Sequence, residues 1–161
     1  MANAVVAKPY KTPISTLVVI YSAVDSRIEV LLLERADRGY WQSVTGTLDA
    51  GETTTQTAAR EVGEEIGLDA HNHILRDWQQ SGSYEIYPIW RHRYAPNITQ
   101  NTEHVFSLQV PSRVPVRLAP REHLQSVWLT VDKAASLCFS ATNRDAILAL
   151  PTRHLAWQPA D

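Results

Sequence analysis

Between Gly46 and Leu68 the chain reads GTLDAGETTTQTAAREVGEEIGL, and this stretch marks both ends of a helix and decides what its faces carry. Thr53 followed by Gln56 three residues later is a capping box, and Gly67 directly after Ile66 suits the positive φ of a helix C′ position. These signals predict a helix over roughly Thr54 to Ile66. At about 100° per residue, Ala58, Ala59, Val62 and Ile66 fall on one stripe. Glu61, Glu64 and Glu65, related by i+3 and i+4, fall on another. One face packs and the other presents three carboxylates.

Like charges this close on a helix repel, and neighbouring carboxylates raise one another's pKa unless a cation neutralises them. A hard divalent ion with oxygen ligands, above all Mg²⁺, with Mn²⁺ as a substitute, answers that need when a substrate supplies phosphate oxygens as further ligands. The competing reading is a solvated acidic face, the usual fate of a Glu-rich surface helix. It is disfavoured because Gly46, Glu52 and Arg60 sit in register with the three glutamates. Arg60 reads as an orienting partner that clamps Glu52 or a neighbouring carboxylate through two parallel hydrogen bonds.

The rest of the chain builds a scaffold around this helix. Its 161 residues are most simply one domain. Ile14 to Ala23 and Glu29 to Glu34 are apolar runs separated by Asp25-Ser26 and read as paired buried strands. Further strands are expected near Gln42 to Thr45, Ile74 to Gln80, Ser83 to Arg93, Glu103 to Val110 and Ser126 to Leu129. Short helices at Val131 to Leu137 and Asn143 to Leu150 close the domain. The tail from Pro151 is expected to be peripheral, with Trp157 packing on the domain or on a partner.

Composition excludes several partners. A net charge of −2 gives no electrostatic case for nucleic acid or an anionic membrane surface. The lone Cys138 excludes an intramolecular disulfide and a cysteine-based zinc site, and reads as a small core residue. The start, MANAVVAKPYKTP, lacks the apolar run of a signal peptide, and no stretch approaches a membrane span, so cytoplasmic residence is the default.

Gly46, five residues, Glu52, seven residues, then Arg60, Glu61, Val62, a spacer, Glu64, Glu65, a spacer, Gly67 and Leu68 fill every position of the Nudix box, and the chain resembles the Nudix hydrolase family. The resemblance implies an α/β fold, an α/β/α sandwich around a mixed β-sheet with a loop-helix-loop catalytic motif, in one domain over 1–161. It extends beyond the box. GYWQSVTGTLDAGE carries Val44-Thr45-Gly46 where many family members have a Pro-Gly-Gly turn. With YKTPISTLVVIY, YPIWRHRYAP, NTEH and APREHLQSVWL, it is similar to the bacterial folate-pathway members that act on a pterin triphosphate, over roughly Tyr10 to Ile147.

That resemblance implies attack of water on a phosphoryl group of a pterin triphosphate, releasing pyrophosphate and leaving the pterin monophosphate. Glu61 and Glu65 then hold Mg²⁺, with Glu64 as a further ligand, direct or through water. Glu52 and Arg60 support the helix. Glu122, in APREHL, is the implied ligand or base from outside the helix. Lys11, Arg35 and Thr45 are implied contacts of the triphosphate. Tyr84-Glu85-Ile86-Tyr87 is an implied substrate wall, with core packing as its competing reading, and Ser140 is either a substrate contact or a helix cap. Trp41 and Trp90 are placed to border the cleft. The six histidines lack metal-site spacing and receive no chemistry. Two other functions stay open: a Nudix enzyme acting on nucleoside triphosphates or dinucleoside polyphosphates, and a Nudix domain that binds a nucleotide-like ligand without cleaving it. The presence of Glu61, Glu64 and Glu65 and the lack of a basic appendage count against the last.

Overall fold

The two apolar runs pair as an antiparallel hairpin in the computed structural model, which describes residues 9–160. The signal-peptide reading falls largely before residue 9, outside the described residues. β1 (Ile14–Val24) and β2 (Arg27–Arg35) meet from Ile20↔Leu31 to Val24↔Arg27. Asp25 and Ser26 make the turn with φ of 51° and 64°, the left-handed pair whose twist matches that of a hairpin.

The same edge of β1 changes partner along its length. Ser15 to Val18 pair antiparallel with β4 (Val44–Thr47), the strand that leads into the acidic helix. On the other edge β6 (Gln100–Val110) runs parallel to β1, and β5 (Ile74–Glu85) adds antiparallel to β6. β3 (Trp41–Gln42) and β7 (His123–Thr130) flank β2 and complete a mixed seven-stranded sheet.

Period-two alternation sorts the sheet into two cores. Leu17, Val19, Tyr21, Leu32 and Val105 pack against Ala134 and Ala135 of α2 (Val131–Leu137) and Ala146, Ile147 and Leu150 of α3 (Ala141–Trp157). Val18, Ile20, Leu31, Leu33 and Phe106 pack on the opposite face against Ala58, Val62 and Ile66 of α1 (Thr54–Ile66). The result is an α/β/α sandwich. Cys138 is buried, as expected.

Three expectations need correction. The two strands expected between Ile74 and Arg93 are one strand ending at Glu85, with an irregularity between Asp77 and Ser81 where Gln79 takes a φ of 51°. Pro88, which has no N–H for a ladder, opens a 3-10 turn over Pro88–Arg93 instead of a strand end. The last helix does not stop at Leu150; it runs through Pro151 to Trp157. Trp157 lies 6.1 Å from the Trp78 ring with the Arg76 guanidinium 4.5 Å over it, and His154 Nδ1 is 2.8 Å from the Tyr21 hydroxyl. Those contacts hold the last turns against the sheet despite the lost backbone bond. No helix among the described residues is long and apolar enough to cross a membrane.

Candidate active site

α1 forms where its caps place it. Thr53 accepts from the Gln56 N–H while the Gln56 side chain accepts from the Thr53 N–H, and Gly67 ends the helix at φ 71°. The acidic stripe does not behave as one surface. Glu64 is exposed, Glu61 lies against the sheet, and Glu65 is buried. The three carboxylates do line one cavity, but at different depths: successive turns of α1 approach β4 closely enough that Glu61 and Glu65 are drawn under its edge while Glu64 stays at the rim.

Gly46 makes that approach possible. A Cβ at this position would sit 2.0 Å from the Glu61 carboxyl carbon, so only glycine leaves room for the carboxylate. Glu65 accepts from the Thr45 backbone N–H at 3.1 Å, and its other oxygen lies 3.1 Å from His123 Nε2. With the carboxylate as acceptor, the proton sits on Nε2. His123 Nδ1 is then a buried acceptor without a partner among the described residues.

Arg60 ties these groups to the preceding loop. It donates to both oxygens of Glu52 at 2.8 and 2.9 Å, to Glu61 at 2.8 Å, to Glu64 at 3.1 Å and to the Thr47 carbonyl at 3.0 Å. Glu52 also accepts from the Asp49 N–H and the Thr57 hydroxyl. The Arg60 guanidinium holds the Glu52 carboxyl down at about 2. Glu61 moves the other way: burial, and then the charge of Glu65, push it up to about 7 despite Arg60. Burial also raises Glu65, against the pull of His123.

The outside carboxylate comes from the loop before β7. This loop is stitched to the end of α1, with the Arg117 and Ala119 N–H groups donating to the Ile66 and Glu65 carbonyls at 2.9 and 3.1 Å. Glu122 and His123 follow, and with Glu65 they bring three ligand atoms within 4.8 Å of one another, a group able to hold a metal ion. Glu61 and Glu64 are not part of that group; both are engaged by Arg60.

A cavity of about 760 Å³ opens over these residues. Lys11, Arg35, Thr45, Glu61, Glu64, Glu65, Tyr84, Ile86, Tyr87, Glu122 and Ser140 all line it. Glu52 and Arg60 are not among the lining residues and buttress it from behind. Glu85 is not brought in either: its side chain is exposed and ion-paired with Arg91. Arg35 is held by Asp37 through two bonds of 2.8 and 2.9 Å and stacks 4.8 Å over Trp90. Ser140 is the N-cap of α3, accepting from the Asn143 N–H, and it also faces the cavity, so its two readings coexist. Trp90 borders the cavity as expected; Trp41 does not, and packs instead against the α2/α3 core.

Sequence reasoning passed over His123, Glu103 and Phe139. His123 directly follows Glu122, but its pairing with Glu65 arises only once the fold buries that glutamate. Phe139 lies 3.9 Å from Tyr40 in a parallel stack and 5.0 Å from Tyr87, forming an aromatic wall that only the fold assembles.

The NUDIX domain model matches residues 11–150. The chain is 45% identical over 142 residues to the dihydroneopterin triphosphate diphosphatase of Escherichia coli K12, covering 87% of this chain and 93% of that one. It is 42% identical over 142 residues to the protein of the same name from Haemophilus influenzae, covering 86% and 87%. The solved structure of the E. coli dihydroneopterin triphosphate pyrophosphohydrolase superposes with a TM-score of 0.83 at 44% identity, covering 91% of this chain and 99% of that one. A Caenorhabditis elegans Ap4A hydrolase shares the fold at a TM-score of 0.72 and 19% identity, covering 89% and 98%.

Proposed function

The chain belongs to the Nudix hydrolase family, and on that premise we propose that it hydrolyses dihydroneopterin triphosphate to dihydroneopterin monophosphate and pyrophosphate, with Mg²⁺ as its ion. The observation that carries the reading is one cavity that combines the carboxylates of Glu61, Glu65 and Glu122 with an aromatic wall of Tyr84, Tyr87 and Phe139. A polyphosphate joined to a flat ring asks for that pair of surfaces. The E. coli and H. influenzae relatives, covered over 93% and 87% of their lengths, carry the matching name. That the seven strands form one sheet supports taking 1–161 as a single domain.

The donor set fits a hard divalent cation. Two desolvated carboxylates on adjacent turns stay pushed toward protonation even with Arg60 on one and Thr45 and His123 on the other, and a cation would relieve that cost. Glu65 and Glu122 of the compact group would hold it, joined by Glu61 from the preceding turn of α1, with Glu64 at the rim. When bound, the cation neutralises phosphate oxygens and acidifies a coordinated water. The protein's own contribution is positioning. Arg60 and Glu52 fix the helix against its loop, and Lys11, Arg35 and Thr45 orient the phosphates. Glu122, the exposed carboxylate of the group, takes the proton of the attacking water. His123 orients Glu65. With its imidazole bonded to that carboxylate, it serves better as a positioning group than as a ligand for an oxygen-seeking ion.

The direct test offers purified protein and Mg²⁺ the pterin triphosphate, GTP, ATP and diadenosine tetraphosphate in parallel. We expect kcat/KM for the pterin to exceed the others by tenfold or more, about 1.4 kcal/mol of transition-state discrimination, with pyrophosphate as product. A tenfold preference for a nucleotide, or release of orthophosphate, overturns the assignment.

Metal and pH should be linked. Glu61 has a folded pKa of about 7 against an ordinary value of 4.5, so the folded metal-free protein binds this proton more tightly than the unfolded chain. Stability from this group is present in full below pH 4.5 and is lost as pH rises to 7 and beyond, on the order of 3 kcal/mol at most. Glu52 acts in a separate window, with stability lost only as pH falls from about 4 toward 2. The melting temperature gained on adding Mg²⁺ should therefore grow between pH 5 and pH 8, and calorimetry should record proton release on binding. A pH-independent gain would contradict the ligand assignment.

A further inference from the structure

We infer that Glu103 reads the substrate ring, its carboxylate accepting two parallel hydrogen bonds from the 2-amino group and the adjacent ring N–H of a 2-amino-4-oxopyrimidine. This rests on the reading of the site as a pterin triphosphate hydrolase and names the residue that would select the ring.

Glu103 lies on β6, opposite Ser15 of β1, on the same strand face as Asn101 and Val105. It is 6% exposed, yet it lines the cavity together with Tyr84, Tyr87 and Phe139. The Thr142 hydroxyl, in the first turn of α3, donates to Oε1 at 2.8 Å. Among the described residues no donor reaches Oε2, and no cation pairs with the group. A carboxylate at a buried strand position costs stability unless its charge and lone pairs are met. Val105, two residues on, shows that the same face accepts an apolar side chain. Thr142 accounts for one lone pair; the rest of the carboxylate's acceptor capacity is unmet among the described residues, on a residue that lines the cavity. Burial raises the carboxyl pKa, and N–H donors from a bound ring would oppose that shift as Thr142 already does.

The chemistry that matches is an edge with two neighbouring donors. A pterin offers its 2-amino group and N3–H side by side, and guanine offers the same pair. Adenine sets a ring acceptor beside its amino group, which would face the carboxylate with a lone pair. Asn101, which bridges Ser15 at 2.7 Å and Tyr84 at 3.2 Å, stiffens the same floor, and its own carbonyl oxygen is buried without a partner among the described residues. The ring then lies along the aromatic wall while its phosphates extend toward α1.

The experiment uses neopterin and its 2-oxo analogue, in which an acceptor replaces the 2-amino donor, and follows their intrinsic fluorescence on titration with the full chain. No metal or turnover is needed. Wild-type protein should bind neopterin at least tenfold more tightly than the analogue, and Glu103→Gln should bring the ratio within about twofold, because the amide offers one acceptor only. In turnover of the pterin triphosphate the same variant should raise KM far more than it lowers kcat. Equal binding of the two rings by wild type, which needs no variant to fold, overturns the inference, as does a ratio unchanged in Glu103→Gln or no neopterin binding at all. If any of these occurs while wild type still hydrolyses dihydroneopterin triphosphate, only the role of Glu103 falls. If wild type hydrolyses no pterin triphosphate, the reading of the site itself falls.

Discussion

Glu65→Gln is expected to lower kcat by about three orders of magnitude or more while the protein stays folded. The two side chains have the same shape, so the packing of α1 on Val44 and Phe106 is untouched. What changes is charge and hydrogen-bond polarity. Glu65 accepts from Thr45 through one oxygen and from His123 through the other, and an amide satisfies only one of those donors. The unmet donor costs about 1–3 kcal/mol, but removing a desolvated charge offsets part of it, so the melting temperature should move by a few degrees in either direction. The ion loses a charged ligand whose contribution is greatest when charge builds on the phosphoryl group, and turnover falls with it. Pyrophosphate release, thermal melting and Mg²⁺ titration of the same preparation separate the two effects. A variant with kcat within tenfold of wild type would remove Glu65 from the metal site.

The limits of the sequence reading have physical causes. α1 was legible to the residue at both ends because its stop and start signals are local: Thr53 with Gln56, and Gly67 at positive φ, need nothing distant to act. The strands of β1 and β2 were legible for the same reason, as long apolar runs around a turn. Helical periodicity could not tell how deeply each carboxylate lies, because depth depends on how closely β4 passes. It therefore set Glu64 beside Glu65, although one is exposed and the other is 5% exposed. The run of α3 past Pro151 was hidden because the contacts that sustain it, Trp157 on Trp78 and under Arg76, join segments far apart in the chain. His123 and Glu103 were hidden similarly. Each gains its meaning from a partner or a cavity that the fold supplies, and neither belongs to a periodic pattern.

Gly46→Ala should separate the site from the scaffold more cleanly than any change of a charged residue. Gly46 does not use a positive φ, so alanine meets no backbone penalty there. Its Cβ would nevertheless fall 2.0 Å from the carboxyl carbon and 2.1 Å from Cγ of Glu61. Those atoms belong to a flexible side chain and not to backbone, so the collision is relieved by rotating the Glu61 side chain and swinging its carboxylate out rather than by unfolding the strand. The swing breaks the 2.8 Å bond from Arg60 and withdraws a ligand from the cavity. We expect kcat/KM to fall at least 100-fold, about 2.7 kcal/mol or more of lost transition-state stabilisation, with little change in melting temperature. Gly63→Ala is the matched control. It lies on the exposed side of α1, where a Cβ would meet nothing nearer than the Leu68 carbonyl oxygen at 3.8 Å. Alanine there should stabilise the helix by up to about 1 kcal/mol and leave turnover unchanged. Undiminished activity in Gly46→Ala would mean that the position held by Glu61 in this structure is not the one in which it works.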